Sequence, residues 1–126
     1  MSPESRGFTL GAAVALTLGV GFVEIRKDSK RALEPSELLL RSTTPPDYNQ
    51  RGLVLTMNRN LLSARDRVLL VDEWIVTGAQ ATAARDLVEA AEAKWIGVAV
   101  ILDDVSSDVR RRLNVRSLLR NHELPW

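Results

Sequence analysis

Apolar positions along this chain fall into blocks whose periods alternate between those of helices and those of buried strands. Thr9 to Leu18 is apolar nearly all round and reads as a helix buried on most sides. Gly19 and Gly21 break the run where a short helix stops. Phe22 to Ile25 then reads as a short strand, closed by the charged stretch Arg26-Lys27-Asp28-Ser29-Lys30-Arg31. Residues 32–50 lack a sustained period and carry Pro35 and the Thr43-Thr44-Pro45-Pro46 cluster, which predicts a long loop. Leu53 to Met57 fits a strand and Asn58 to Leu62 a turn or short helix. Val68 to Val71 is a continuous β-branched and leucine run of the kind found in a central parallel strand. A helix fits 79–93, with Ala81, Ala84, Val88 and Ala91 on one face and Arg85, Asp86, Glu89 and Glu92 opposite. Ile96 to Leu102 reads as the next buried strand, Ser106 or Ser107 as the cap of a short helix through Leu113, and Val115 to Leu119 as a last strand. Strands alternating with helices predict an α/β fold, a doubly wound parallel sheet in a single domain over 1–126.

Composition removes several classes of function. The formal net charge is +1, against the basic excess of a general nucleic-acid binder. There is no cysteine, hence no disulfide framework and no thiolate zinc site. His122 is the only histidine and reads as an exposed surface residue near the C-terminus, which disfavours triads built on a histidine base. Residues 7–23 carry no charge and follow a short polar start, as a signal peptide would. Glu4 accompanies Arg6 in that start, however, so there is no basic leading region, and the run is marginal for a bilayer. A buried helix followed by a buried strand fits better, in a cytoplasmic protein with no membrane partner.

The candidate chemistry lies at Arg67–Ala83. The apolar run ends in two adjacent acids, Asp72 and Glu73, and Thr77-Gly78 follows just before a helical pattern. Strand-end carboxylates accept hydrogen bonds from sugar hydroxyls, and a helix N-terminus takes a phosphate. Taken alone, a strand ending in two acids is commonly a solvated end, and Arg26-Lys27 with Lys30-Arg31 a solvated turn. Arg110-Arg111-Arg112 reads as an exposed helix face and Trp95 as core. Trp74, beside the acids, either packs on the sheet or borders a ligand pocket.

Three blocks, in order, give these features a shared meaning: Glu4-Ser5-Arg6-Gly7-Phe8 with the small-residue helix, Leu18-Gly19-Val20-Gly21-Phe22-Val23 running into Arg26-Lys27, and Val71-Asp72-Glu73 through Thr77-Gly78. In them the chain resembles the type I phosphoribosyltransferases, the adenine enzymes most of all, over roughly its whole length and thinly over 31–60. The resemblance implies that Asp72 and Glu73 hold the ribose hydroxyls of phosphoribosyl pyrophosphate. The loop Val76, Thr77, Gly78, Ala79 and Gln80 would wrap the 5′-phosphate with backbone N–H groups. Gly78 would let backbone approach that phosphate. Ser5 and Arg6 would sit in the pyrophosphate loop, and Arg26 or Lys27 would neutralise the same leaving group. Magnesium would arrive with the donor, bound mainly by its oxygens. The segment 31–60 would be a flexible lid that excludes water. A homodimer is implied as well.

The chain also departs from that pattern. Glu73 stands where the family usually has a second aspartate, Ala79 and Gln80 where it commonly has Gly and Thr, and Asp28-Ser29-Lys30 where the adenine enzymes show Pro-Gly-Lys. Relatives carry a further segment before the first block, so the resemblance implies that the base-covering hood and the first core strand are lacking. That strand would lie mid-sheet, beside the one ending at Asp72. The expected function is transfer of ribose 5-phosphate from phosphoribosyl pyrophosphate to a nucleobase, adenine first, with release of pyrophosphate. The rival is a non-catalytic module, or an inactive fragment, that binds the same donor.

Overall fold

The computed structural model describes residues 1–3, 6–27, 38–44 and 54–124, with Arg6 and Lys27 described by their backbone. Strand β1 (Ser2–Pro3) leads into helix α1 (Arg6–Leu18), which returns to β2 (Glu24–Lys27), parallel to β1. Strands β3 (Leu39–Thr43) and β4 (Val54–Asn58) pair antiparallel with each other, and β4 pairs antiparallel with β2. Then β5 (Arg67–Ile75), α2 (Ala79–Ala90), β6 (Lys94–Asp103), α3 (Ser107–Leu113) and β7 (Val115–Arg120) form a parallel β5-β6-β7 sheet with helical crossovers.

Backbone at Met1 joins the two sheets. The Val71 N–H donates to the Met1 carbonyl at 2.8 Å, and the Met1 amine donates to the Leu69 carbonyl at 3.1 Å. The fully buried Ser2 adds its hydroxyl to the Val71 carbonyl at 2.7 Å. Thus β1 stands between β2 and β5, and the mid-sheet slot expected to be empty is occupied over Met1–Pro3. Helix α2 lies across this seam, against β3, β4, β5 and β6. Its Ala81, Ala84, Leu87 and Val88 share a core with Ile25, Leu55, Met57, Leu70 and Val98. Each of those side chains removed from water contributes roughly 1.5–3 kcal/mol for the larger ones, which is what holds two short sheets as one body.

Several expectations shift. Helix α1 begins at Arg6 rather than Thr9, and it is not buried on most sides: Leu16 is 84% and Leu18 62% exposed. The sheet side is the small one. Gly7, Gly11 and Ala15, four apart, are buried, and a Cβ on Gly11 would run into the Ser2 hydroxyl. Close approach to β1, not bulk, selects the inward face. Strand β2 is displaced two residues from the expected Phe22–Ile25 because Arg26 and Lys27 pair with Thr56 and Leu55 of β4, charged or not. Within the expected loop at 32–50, Leu39–Thr43 forms a strand. The expected lid over 31–60 contains that strand, β4 and the start of a 3₁₀ turn at Arg59–Leu61. Its remaining parts, 31–37 and 45–53, lie outside the described residues, as does Ser5.

The C-terminal half follows the sequence pattern closely. Strand β5 runs on past the acids to Ile75, α2 stops at Ala90 rather than 93, and Ser106 caps α3 through the Val109 N–H. The early end of α2 has a local cause. Ala91 and Ala93 return their N–H groups to Leu87 and Val88, with Glu92 between them at φ 65, a left-handed position that terminates helices.

Candidate functional site

Neighbouring strands β1 and β5 send their chains in opposite directions: α1 leads to β2 on one side, α2 to β6 on the other. Crossovers that diverge from adjacent parallel strands open a crevice beyond the carboxyl ends of those strands, the place where open α/β sheets bind ligands. The acids of β5 lie at this edge.

Asp72 and Glu73 are successive residues of a strand, so their side chains leave on opposite faces. Asp72 is in register with Val100 of β6, and Glu73 shares its face with Val71. Both acids are half-buried. Next along the β1-facing edge of β5 after Val71, the Glu73 N–H donates to the Asp72 carboxylate Oδ1 at 2.8 Å instead of continuing a ladder. That carboxylate adjoins the first turn of α1: a Cβ on Gly7 would stand 3.4 Å from Asp72 Oδ1 and 3.3 Å from Pro3 Cδ. Arg6 opens that same helix, one residue before Gly7.

The loop Val76-Thr77-Gly78 carries the chain from β5 into α2. Gly78 is the N-cap at φ 81, ψ 7, and no side chain caps the helix. The Ala79 N–H donates to the Thr77 hydroxyl oxygen at 3.2 Å, and the Thr82 hydroxyl donates to the Gly78 carbonyl at 2.8 Å. Val76, Thr77 and Gln80 are exposed, and Ala79 is half-buried. With only Ala79 N–H taken, by Thr77, and no side chain at the N-cap, the start of α2 presents its remaining N–H groups and the positive end of the dipole outward. Packing adds a reason for glycine beside the close approach to phosphate expected from the sequence. A Cβ at Gly78 would lie 2.7 Å from Val109 Cγ1 and 3.3 Å from Leu113 Cδ1, so α3, packed behind the loop, excludes a side chain there.

At the carboxyl end of β2, Arg26 Nε and Nη2 donate to the two carboxylate oxygens of Glu24 at 2.8 and 2.9 Å. Its guanidinium also lies 5.5 Å from the Phe8 ring centre, and Phe8 meets Phe22 edge-on at 6.2 Å. Lys27 follows in the same strand, paired through its backbone with Leu55. By backbone position, Arg6 follows β1, Arg26 and Lys27 end β2, and Asp72, Glu73 and the Val76–Gln80 loop lie at the carboxyl end of β5, the same edge of the sheet. Trp74, 53% exposed, shares the Asp72 face by strand alternation.

Two partners were not anticipated from the sequence. Glu24 was readable in principle, since Glu-x-Arg on a strand places both side chains on one face. The other is Asp103, 2% exposed at the end of β6. Its Oδ1 accepts the Val105 N–H at 2.9 Å and its Oδ2 accepts Arg110 Nε at 2.8 Å. Burial acts to raise the Asp103 pKa, but the hydrogen bonds from Arg110 and Val105 and the charges of Arg110 and Arg120 outweigh it and hold the carboxyl below its ordinary value. Asp103 is thus a tie between β6 and α3. The adjoining groove of about 340 Å³ is lined by Arg110, Arg116, Arg120 and Glu123, among others. Among the described residues no group of three or more His, Cys, Asp or Glu side chains could hold a metal ion by itself. Among the described residues no helix is long and apolar enough to cross a membrane.

Known proteins place this geometry in a family. Residues 1–126 match the phosphoribosyl transferase domain. An adenine phosphoribosyltransferase of a Nocardioides species is 43% identical over 102 residues, 79% of this chain and 51% of that protein. One from Acidothermus cellulolyticus is 37% identical over 123 residues, 93% of this chain and 64% of that protein. The chain thus spans between about half and two thirds of the length of these relatives. The crystal structure of the Giardia lamblia enzyme complexed with 9-deazaadenine superposes with a TM-score of 0.79 at 31% identity, covering 97% of this chain and 68% of that one. The type I resemblance read from the three sequence blocks and the doubly wound sheet agree with these matches, and the chain belongs to the phosphoribosyl transferase domain family.

Proposed function

We propose that this chain binds phosphoribosyl pyrophosphate and transfers its ribose 5-phosphate to a nucleobase, adenine, releasing pyrophosphate. The observation that carries the reading is the β1/β5 switch point, where Asp72 of β5 adjoins the first turn of α1 at Gly7 and the loop after β5 opens α2 with no side chain at its N-cap. The adenine phosphoribosyltransferases that the chain matches support the choice of reaction, and the 9-deazaadenine bound by the Giardia relative supports the choice of base.

The residues divide the work by chemistry. Asp72 accepts from the ribose hydroxyls. Glu73, one methylene longer than aspartate, reaches the same sugar from the opposite face of the strand. Val76, Thr77, Gly78, Ala79 and Gln80 seat the 5′-phosphate, with the Thr77 hydroxyl keeping its proton for the ligand because its oxygen already accepts from Ala79. Ser5, Arg6, Arg26 and Lys27 neutralise the departing pyrophosphate, and Trp74 borders the base. The carboxylates are hard oxygen donors that fit magnesium, which would be held mainly by donor oxygens and would supply charge neutralisation at the pyrophosphate. The chain itself orients donor and base, keeps water from the anomeric carbon and stabilises charge as pyrophosphate leaves; no protein nucleophile is required. The protein works in the cytoplasm as a homodimer, with small molecules rather than nucleic acid as partners.

Turnover tests this reading. The chain, incubated with the magnesium salt of the donor and adenine, is expected to release pyrophosphate, and Asp72→Asn is expected to weaken ribose 5-phosphate binding at least tenfold. Binding of the donor without pyrophosphate release in the presence of any purine would establish the non-catalytic donor-binding module instead. Unchanged affinity in Asp72→Asn would remove the acid from the site.

A further inference from the structure

Arg26 already grips an anion. Its two-pronged contact with both oxygens of Glu24, at 2.8 and 2.9 Å, is the geometry with which a guanidinium holds a phosphate. The strand itself sets the pair, because residues two apart on β2 project from one face. The Phe8 ring of α1 lies 5.5 Å from the guanidinium, and α1 is the helix whose first turn adjoins Asp72 at Gly7. A carboxylate therefore occupies the seat on Arg26 that a ligand anion would use, at the edge where the ligand is read to bind.

We propose that Glu24 is an internal competitor for the anion seat of Arg26, and so sets the affinity and charge selectivity of the pyrophosphate end of the site. The proposal rests on the donor-site reading given above. An incoming anion must displace a bidentate carboxylate before it can engage Arg26. A diphosphate brings several charges to that exchange, and an inorganic phosphate fewer, so the pair favours the more highly charged ligand. The exchange is reversible: the side chains of Arg26 and Glu24 are 34% and 36% exposed, and water receives the released carboxylate. A strut that merely held Arg26 in place would act in the opposite sense, since its loss would loosen the arginine and weaken binding.

Calorimetric titration of the full chain with inorganic pyrophosphate, and separately with inorganic phosphate, decides between these senses. Glu24→Gln is expected to bind pyrophosphate about fivefold tighter than the wild type and to narrow the preference for pyrophosphate over phosphate. The gain should vanish when Arg26 is absent, so that Glu24→Gln/Arg26→Gln binds no tighter than Arg26→Gln alone. Glu24→Thr, neutral and strand-compatible, gives the same readout should the amide disturb the fold, and thermal unfolding of each variant checks that it has not. Equal or weaker pyrophosphate binding in both Glu24 variants, with the wild type binding, overturns the proposal and leaves the donor site standing. Failure of every form to bind pyrophosphate also overturns it. Ribose 5-phosphate then separates the two readings: Asp72-dependent binding preserves the donor site, and its absence removes that as well.

Discussion

Replacing Gly78 by alanine tests how the loop before α2 is built. Two costs add. The residue sits at φ 81, where an L side chain is disfavoured by roughly 1–2 kcal/mol. The new methyl would also begin 2.7 Å from Val109 Cγ1 and 3.3 Å from Leu113 Cδ1. Val109 and Leu113 belong to α3, so the overlap is relieved by turning the stiff, half-buried Val109 side chain off its rotamer or by shifting the helix, at about 1–3 kcal/mol. The sum, roughly 2–5 kcal/mol, is a large share of the ~5–15 kcal/mol that holds a domain together. Gly19 supplies the internal control: its φ is +69, but a Cβ there would meet nothing within 4 Å, so Gly19→Ala should lose the backbone part alone. Urea unfolding of Gly78→Ala, Gly19→Ala and Gly78→Ala/Val109→Ala measures each share. The double variant removes the clashing methyls and should cost less than the separate losses added together. Should Gly78→Ala cost no more than Gly19→Ala, the packing argument fails, and backbone approach to phosphate would be left as the reason for glycine. The same samples, titrated with ribose 5-phosphate, show whether stability and phosphate binding are lost together.

Two further outcomes follow from other contacts. The Asp103 pKa is lower folded than unfolded, so its contribution is complete above the ordinary carboxylate value of 3.8 and is lost as pH falls through the folded pKa. Asp103→Asn should therefore flatten the acid side of a stability-against-pH curve below that value while lowering the melting temperature at neutral pH, and an unaltered acid limb would show that another carboxyl controls it. Glu92→Gly relieves a left-handed non-glycine residue at φ 65 and should stabilise the chain by about 1 kcal/mol in urea unfolding; a loss of stability would mean that the Glu92 side chain contributes more than its backbone conformation costs.

Much of the β5–β7 half was legible because its strands are apolar runs and its helices carry clear periods and a Ser106 cap. Those signals are local. What escaped depended on partners far along the chain. Leu39–Thr43 has only Leu39 buried, so alternation is weak over five residues, and pairing with β4 supplies the strand. The polar end of β2 was hidden for the same reason. Helix α1 misled because apolarity was equated with burial, whereas Gly7, Gly11 and Ala15 turn inward and Leu16 turns out. At the site, Asp72, Glu73 and the Thr77-Gly78 loop announced themselves as a motif. Their motif could not reveal that β5 runs on past both acids to Ile75, that a side chain at Gly78 would meet Val109, or that Arg26 is engaged by Glu24.

The three residues that join the sheets have a kinetic meaning. The Ser2 N–H donates to the Val23 carbonyl on one side, while its hydroxyl bonds to Val71 across a far longer separation of 69 residues. Contacts that close so long a loop form late, after the local pairings have organised each side. The expected folding order therefore assembles the β5–β7 unit and the β1–β4 unit first and zips the seam last. The crevice opens along that seam, so the ligand site comes into existence only in the final step. Any molecule bound across it acts as a latch on the least local contacts of the chain, stabilising the closed form by RT ln(1 + [L]/Kd). Hydrogen exchange at the Val71 amide would report that latch, slowing on ligand addition more than the amides of the β5–β6 ladder.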